Sequence, residues 1–254
     1  MARLAELVAH CDELLEPGRF RDFCPNGLQV PGGEEVVTIV TGVSAGAELF
    51  ERAIAEDADL VLVHHGLFGV GTRRALERPA RRRLQLLFDH DVSLLAYHLP
   101  LDGHAEIGNN ALLAAALGCA SWSPAFPEGG ATIGVAGAFP EDGVPVDDLV
   151  ARVREATGGR EPLVFPAGPE RVRSIGIVSG GGASFLGTAI DGGLDAFLTG
   201  EPAERVMLQA QEAGITFVAG GHYATETHGV RRLGELLAER FGVRHVFVDV
   251  PNPI

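Results

Sequence analysis

Four histidines follow apolar segments that have the character of buried strands: His64, His65, His98 and His222. Two of them, His98 and His222, are followed four residues later by the carboxylates Asp102 and Glu226. Imidazole nitrogens and carboxylate oxygens suit first-row divalent ions such as Zn, Mn, Fe, Co or Ni. If a helix begins at each histidine, the His-x-x-x-carboxylate spacing puts both groups on one side of it. The pattern therefore predicts a metal site, and the alternative is a set of structural histidines with hydrogen-bond partners in the core.

The adjacent pair His64 and His65 ends the run VLVHH. Neighbouring residues of a strand point to opposite faces, so we expect the two side chains to bind different metal ions rather than chelate one. In open α/β sheets, ligands bind beyond the carboxyl ends of the strands. The other histidines, at positions 10, 90, 104, 228 and 245, lie in helical or edge contexts, and we interpret them as surface or structural residues.

The elements that must position these residues alternate between strands and helices. Apolar, β-rich runs predict strands at 36–43, 58–65, 92–99, 174–180, 195–200, 215–222 and 245–250. Helical patterns such as AELFERAIAED and NNALLAAALG lie between them. This alternation predicts an α/β fold with mostly parallel, mixed sheets.

The chain also repeats itself. A shift of 136 residues pairs Thr38 onward with Ser174 onward, including Asp59 with Asp195, and places Gly200 and Glu201 opposite the two histidines. A later shift of 124 pairs the two His-x-x-x-carboxylate motifs and implies a 12-residue insertion within 66–83. We therefore predict two similar α/β lobes from internal duplication, 1–125 and 126–254, around one shared metal cleft. The stretch from 121 to 173 begins rich in Pro and Gly and continues with the amphipathic pattern VDDLVARVREATG; it is interpreted as the link into the second lobe, including that lobe's first helix.

Composition excludes several classes of protein. The 254 residues carry a net charge of −14, which disfavours binding to nucleic-acid phosphates. The chain contains arginine but no lysine, and no functional conclusion follows from that usage. The basic run at 73–83 is interpreted as an exposed helix face, with a local anion-binding patch as the alternative. No apolar run approaches the roughly 20 residues that span a bilayer, so no membrane contact is expected. Three cysteines without a CxxC motif favour a reducing compartment, and we expect a cytoplasmic protein.

Other motifs for catalysis are weak. The stretch VSGGGASF at 178–185 is a Gly-rich turn of the kind that can hold phosphate, but it lacks G-x-G-x-x-G and a Walker lysine. Its counterpart GVSAGAEL favours glycines that serve tight strand–helix packing. There is no Gly-x-Ser-x-Gly elbow and no cysteine in the setting of a nucleophile.

Taken together, six motifs resemble the NIF-three-like family: NGLQV, VHHGLF, HLPLDGHAEIGNN, TGE, GHYATE and VDVPNPI. Bacterial members are often labelled GTP cyclohydrolase I type 2 homologs or dinuclear metal-centre hexameric proteins. The resemblance covers the chain from about residue 4 and implies a two-lobed, duplicated α/β fold in a toroidal homohexamer. It implies two divalent metal ions per chain, with five ligands: His64, His65, Asp102, His222 and Glu226. Glu226 would bridge the ions, and His98 would lie beside the site as a proton shuttle.

The resulting hypothesis is a metal-dependent hydrolase that uses a hydroxide bridging the two metals, with His98 and Glu226 as catalytic residues. Purine ring opening of the GTP cyclohydrolase type and phosphoester hydrolysis are the two candidate reactions, so the expected substrate is a small molecule such as a nucleotide. The alternative is a non-enzymatic metal chaperone or storage protein, or an oligomeric binding scaffold.

Overall fold

The computed structural model describes residues 1–69 and 75–254, and within these ranges the chain forms two compact units. The first unit comprises Met1–Leu101 and Gly229–Val250, and the second comprises Asp102–His228 and Pro251–Ile254. Arg73 and Arg74 of the basic run lie outside the described residues. In the described ranges, no helix has the length and apolar character needed to cross a bilayer.

The elements lie close to where the apolar runs predict them. The strands are β1 (Ala2–Arg3), β2 (Gly27–Val30), β3 (Glu35–Val36), β4 (Thr38–Ser44), β5 (Leu60–His65), β6 (Ser93–Ala96), β7 (Ser121–Glu128), β8 (Ala131–Ala138), β9 (Val144–Pro145), β10 (Leu163–Pro166), β11 (Arg171–Val172), β12 (Ser174–Val178), β13 (Ala196–Thr199), β14 (Thr216–Ala219) and β15 (Arg244–Phe247). The α-helices are α1 (Leu4–Leu15), α2 (Ala47–Ala55), α3 (Arg78–Asp89), α4 (Leu99–Asp102), α5 (Asn109–Ala116), α6 (Val146–Ala156), α7 (Leu186–Asp191), α8 (Val206–Ala213), α9 (His222–Thr225) and α10 (Thr227–Phe241).

The first unit is built on a five-stranded sheet in the order β15-β4-β5-β6-β2. The first four strands are parallel and β2 runs antiparallel to β6. Val40 of β4 and Val61 of β5 pack with Phe50 of α2 and Leu87 of α3 in one buried apolar cluster. This core fixes the strands at whose carboxyl ends His64, His65 and His98 stand.

The second unit is built on a six-stranded sheet in the order β10-β14-β13-β12-β8-β7. Strands β12, β13 and β14 are parallel, whereas β10, β8 and β7 each run antiparallel to their neighbours. Leu113 of α5 and Leu149 of α6 pack against Ile177 and Leu198 of the sheet. The predicted mixed α/β architecture is therefore confirmed.

The two sheets repeat one order of strands. In each, three consecutive parallel strands (β4-β5-β6 and β12-β13-β14) are flanked by an antiparallel strand (β2 and β10). The Asp59 carboxylate accepts the backbone N–H groups of Val37 and Thr38 at 2.7 and 2.9 Å. Asp195, 136 residues later, accepts those of Arg173 and Ser174 at 2.7 and 3.1 Å. Both units therefore contain the same arrangement, in which an aspartate accepts two consecutive backbone N–H groups, and this supports the predicted duplication.

The later shift differs from the prediction by one residue. Leu60 pairs with Ser93 and Ala196 pairs with Thr216, so the equivalent strands β6 and β14 are related by 216 − 93 = 123 residues. The predicted shift of 124 at His98 and His222 then requires one additional residue after β14, within Gly220–Gly221. The second copy thus has a longer turn in front of its histidine.

The observed unit boundaries differ from the predicted lobes 1–125 and 126–254. Strand β15 pairs in parallel with β4, which places Gly229–Val250 in the first unit, whereas Pro251–Ile254 cluster with the second. The segment from 121 is not a link, because β7 and β8 form a hairpin that pairs with β12 and extends the second sheet. Its turn uses Gly129 and Gly130, both at positive φ, so these glycines serve a tight turn rather than a linker. Asp102 consequently clusters with the second unit rather than the first.

Candidate metal centre

The first unit gathers three histidines at one edge of its sheet. His64 is completely buried, and its ring centroid lies 4.7 Å from that of His65 and 4.9 Å from that of His98. One nitrogen of each ring lies within 4.8 Å of the others, which is close enough for a shared metal ion. The expectation that His64 and His65 point to opposite sides is wrong, because rings on opposite faces of a strand could not approach to 4.7 Å.

Two of these rings are oriented by hydrogen bonds at Nδ1. His64 Nδ1 donates to the backbone carbonyl of Tyr97 at 3.0 Å, so Nε2 is the nitrogen that carries the lone pair. His65 Nδ1 lies 3.1 Å from the hydroxyl of Ser44, on the neighbouring strand β4. Metal-binding histidines have this arrangement, in which the second ring nitrogen is held by a protein group.

His98 forms a dyad with Asp22, a residue that the sequence analysis did not select. The ring Nδ1 donates to Asp22 Oδ1 at 3.0 Å, and the Asp22 side chain is only 2% exposed. The same carboxylate accepts N–H groups from Cys24, Asn26 and Leu99. Burial by itself would raise the pKa of Asp22, but the hydrogen bond and charge of His98, with the bonds from Asn26 and Cys24, hold it well below its usual range.

The NGLQV motif begins with a residue that completes this dyad. Asn26 donates from its amide nitrogen to Asp22 at 3.0 Å and accepts the backbone N–H of His98 at 2.7 Å. An aspartate three residues before a Pro-Asn-Gly turn was the available signal for this site, since such side chains bond to nearby backbone groups. That signal indicates a turn but does not indicate which histidine lies above it.

In the second unit, His222 and Glu226 face each other across one helical turn. Helix α9 begins at His222, and Nε2 lies 3.3 Å from Glu226 Oε2, so the predicted four-residue geometry is confirmed. His222 Nδ1 donates to Glu201 through a short hydrogen bond. Burial opposes the charged ring, but the hydrogen bonds and charges of Glu226 and Glu201 prevail and raise the pKa of His222 to about 9. The sequence repeat places Glu201 opposite His65, but nothing in that repeat indicates that Glu201 orients His222.

Asp102 is buried among polar side chains of the second unit. Its Oδ1 accepts Asn109 Nδ2 at 2.8 Å and the Ser179 hydroxyl at 3.2 Å. Asn110 completes the arrangement by accepting the backbone N–H of Ser179 at 2.7 Å. These contacts give the two asparagines of the GNN motif a physical role: Asn109 holds the Asp102 carboxylate, and Asn110 holds the backbone of Ser179, directly after β12.

The Gly-rich stretch after β12 makes room for the Glu226 carboxylate. A Cβ placed on Gly180, whose φ is +60°, would lie 2.1 Å from Glu226 Oε1 and 3.1 Å from His222 Nε2. A Cβ on Gly182 would lie 2.7 Å from Cβ of Val178. The glycines therefore serve close packing, as the sequence analysis favours, and one of them packs against a predicted ligand.

The donor set fits a first-row divalent metal ion. Within each unit, the predicted ligands are imidazoles or carboxylates. In four of them, a hydrogen bond with a protein group holds one heteroatom of the side chain and so orients the other. These four are His64, His65, Asp102 and His222. Glu226 is 3% exposed and extends from the same turn as His222. Cys24 joins Asp22 and His98 in a further group of potential ligands, but burial raises the pKa of its thiol to about 11.

The fold and the donor set define an α/β protein with residue groups able to bind metal ions, and comparison with known proteins agrees with the fold. The chain matches the family model described as Duf34/NIF3 (NGG1p interacting factor 3) over residues 2–253. It belongs to the Duf34/NIF3 family, and the resemblance inferred from the motifs is confirmed.

Relatives carry the name "GTP cyclohydrolase 1 type 2 homolog". The protein from Pseudomonas aeruginosa is 45% identical over 250 residues, and that from Escherichia coli K12 is 42% identical over 252, each with 98% of both chains covered. Among solved structures, protein ybgI, described as of unknown function, superimposes with a TM-score of 0.93 at 39% identity over 100% of both chains. TTHA1606 from Thermus thermophilus has a TM-score of 0.90 at 37% identity, again with full coverage of both chains.

Proposed function

We propose that this chain is a metal-dependent hydrolase with two divalent ions per chain, bound by His64, His65, Asp102, His222 and Glu226. The observation that carries the proposal is the common construction of its ligands. Four of these side chains have one heteroatom held by a protein group, which is how metal ligands are oriented in proteins. If the histidines were only structural, there would be no reason for the Asp102 carboxylate to be oriented in the same way as they are.

We further propose that the two sets of ligands serve one centre. His64 and His65 alone, or Asp102, His222 and Glu226 alone, are too few to fill two coordination spheres of four to six ligands. Two ions held together lower the pKa of bound water and stabilise developing negative charge on a substrate. This chemistry suits the opening of a purine ring or the hydrolysis of a phosphoester.

In this proposal His98 moves the proton. Asp22 accepts the Nδ1–H group and fixes the tautomer, so Nε2 is the atom that takes up or releases a proton on the side of His64 and His65. The buried carboxylate also stabilises the protonated ring when it forms. This is the division of labour between an orienting carboxylate and a general base.

The stoichiometry of bound metal tests the single centre. Purified protein loaded with Mn, Zn or Fe is expected to contain two ions per chain, measured by mass spectrometry of the metal. His64→Ala in the first unit and Glu226→Gln in the second are each expected to weaken binding of both ions. If each variant loses one ion and keeps the other at full affinity, the two sets are separate sites.

Activity tests the hydrolase. Metal-loaded protein is incubated with nucleotides and phosphoesters, and hydrolysis is expected to require metal, Glu226 and His98. The variants are Glu226→Gln and His98→Gln, and the matched control is His90→Gln, which changes an exposed histidine at the end of α3. Full metal content without turnover of any substrate would reject the hydrolase and leave a metal-carrier function.

We also propose a toroidal homohexamer in the cytoplasm. The family resemblance supports the assembly, and the free thiols of Cys11, Cys24 and Cys119 support a reducing compartment. Light scattering of the purified protein is expected to give six times the chain mass of 26.7 kDa. A monomer or dimer at working concentration would refute the hexamer without bearing on the metal site.

A further inference from the structure

Arg160 reaches the edge of the second sheet where the predicted ligands of that unit lie. It stands three residues before β10, which runs antiparallel to β14, with Leu163 opposite Ala219. The beginning of β10 is therefore at the same edge as the end of β14. The residues that follow β14 lead within three positions to His222.

The side chain of Arg160 lies directly on the backbone before His222. A Cβ on Gly221 would be 2.6 Å from Arg160 Nε, 2.7 Å from Cδ and 3.1 Å from Cζ. Gly221 also has a φ of +100°, which side-chain-bearing residues rarely adopt. The glycine thus does two things: it turns the chain into α9 and lets a guanidinium group approach the turn that presents His222.

Within residues 1–69 and 75–254, no hydrogen bond, ion pair or ring contact involves Arg160, although the residue is half-buried. Other arginines of the same unit are engaged: Arg152 donates to the Leu117 carbonyl at 2.7 Å, and Arg154 donates to Glu161 at 2.7 Å. A guanidinium group carries five N–H donors in a planar fork that matches phosphate oxygens. Its position, charge and unused donors together indicate a ligand.

We propose that Arg160 binds a phosphate group of the substrate. The inference deepens the proposed function and rests on it, because it places an anionic substrate beside the predicted metal ligands. Asp102, Glu201 and Glu226 bring three carboxyl groups to this unit's site, and the whole chain carries a net charge of −14. An anion therefore needs a local cation besides the metal ions, and Arg160 supplies it through charge-assisted hydrogen bonds.

Calorimetric titration with inorganic phosphate tests the assignment on metal-loaded and on metal-free protein. Arg160→Gln is expected to weaken phosphate binding about ten- to a hundredfold, because charged hydrogen bonds are lost. Arg160→Lys is expected to lose less, because it keeps the charge but not the planar fork. Arg154→Gln, which removes an ion-paired arginine nearby, is the matched control and should bind phosphate as the wild type does.

Metal content and urea unfolding are measured on the same samples, so loss of fold or metal is detected separately. Equal phosphate affinity in the wild type and Arg160→Gln would overturn the proposal, as would a folded wild-type protein that binds no phosphate in either form. A wild type that binds no metal would instead reject the proposed function. In that case the metal-free titration still decides the role of Arg160, by the same comparison of variants.

Discussion

Replacing Gly180 with alanine puts a methyl group into the space of the Glu226 carboxylate. The new Cβ would lie 2.1 Å from Oε1, and contacts under 3.0 Å essentially do not occur, so the oxygen must move by about 0.9 Å or more. Glu226 is 3% exposed and its neighbour His222 Nε2 is 3.1 Å from the same Cβ. The carboxylate therefore cannot retreat without changing the geometry of both predicted ligands.

The expected effect on metal binding follows from this displacement. A misplacement of about 1 Å in a preorganised site costs on the order of a hundredfold, so we expect metal affinity to fall by about that factor. The φ of +60° at Gly180 adds a separate backbone cost of about 1–2 kcal/mol in the free energy of unfolding. The loss of metal affinity is thus expected to exceed what the change in stability alone explains.

Gly181→Ala is the matched control. The adjacent glycine has a φ of −81°, and the nearest atom to its Cβ would be His222 Cε1 at 4.0 Å, an ordinary contact. Each protein is first stripped of metal and then reloaded with one metal. Metal affinity is measured by competition with a chelator, and stability is measured by urea unfolding. If Gly180→Ala and Gly181→Ala bind metal with equal affinity, Glu226 is not a ligand held in place by this turn.

Three further predictions concern the protonation of two histidines and the backbone hydrogen bonds of Asp59 and Asp195. In the metal-free protein the pKa of His222 is about 9, so a metal ion that binds Nε2 must displace a proton below that pH. The affinity for metal should therefore rise about tenfold per pH unit from about pH 7 to 9. Burial and Arg231 lower the pKa of His245, so the free energy of unfolding should fall as pH drops below about 6.5, where the unfolded ring is protonated first. Asp59→Asn and Asp195→Asn should each destabilise the chain by about 1–3 kcal/mol in urea unfolding, because each carboxylate accepts two backbone N–H groups.

Each of these has a contrary outcome. A metal affinity that is flat from about pH 7 to 9 would mean that His222 is neutral before the metal binds. His245→Gln, which can still bond to Thr41 through its amide, should remove the acid sensitivity; its persistence would assign that sensitivity to other groups. If Asp59→Asn lowers the free energy of unfolding strongly and Asp195→Asn does not, the two sets of backbone hydrogen bonds do not contribute equally to stability.

Local sequence patterns accounted for most of the secondary structure and for the histidines. Apolar runs of about four to eight residues predict strands because they must bury both faces, and β4, β5 and β12 lie where these runs indicate. The spacing of His222 and Glu226 is a property of one helical turn, so it needs no distant information. The hairpin β7–β8 escaped prediction because Pro and Gly are typical of linkers as well as of edge strands and tight turns.

The groups that orient the predicted site residues were decided by the tertiary structure alone. Asp22 is 76 residues from His98, Ser179 is 77 from Asp102, and Glu201 is 21 from His222. Such contacts arise because parallel strands bring their carboxyl ends to one edge, whatever their separation along the chain. The sequence by itself determined the fold class and the family and predicted the kinds of ligand, because these depend on residue type and local periodicity. Only folding decided which protein group orients each histidine, why Gly180 carries no side chain, and that Arg160 reaches the edge of the second sheet, since each depends on packing between distant segments.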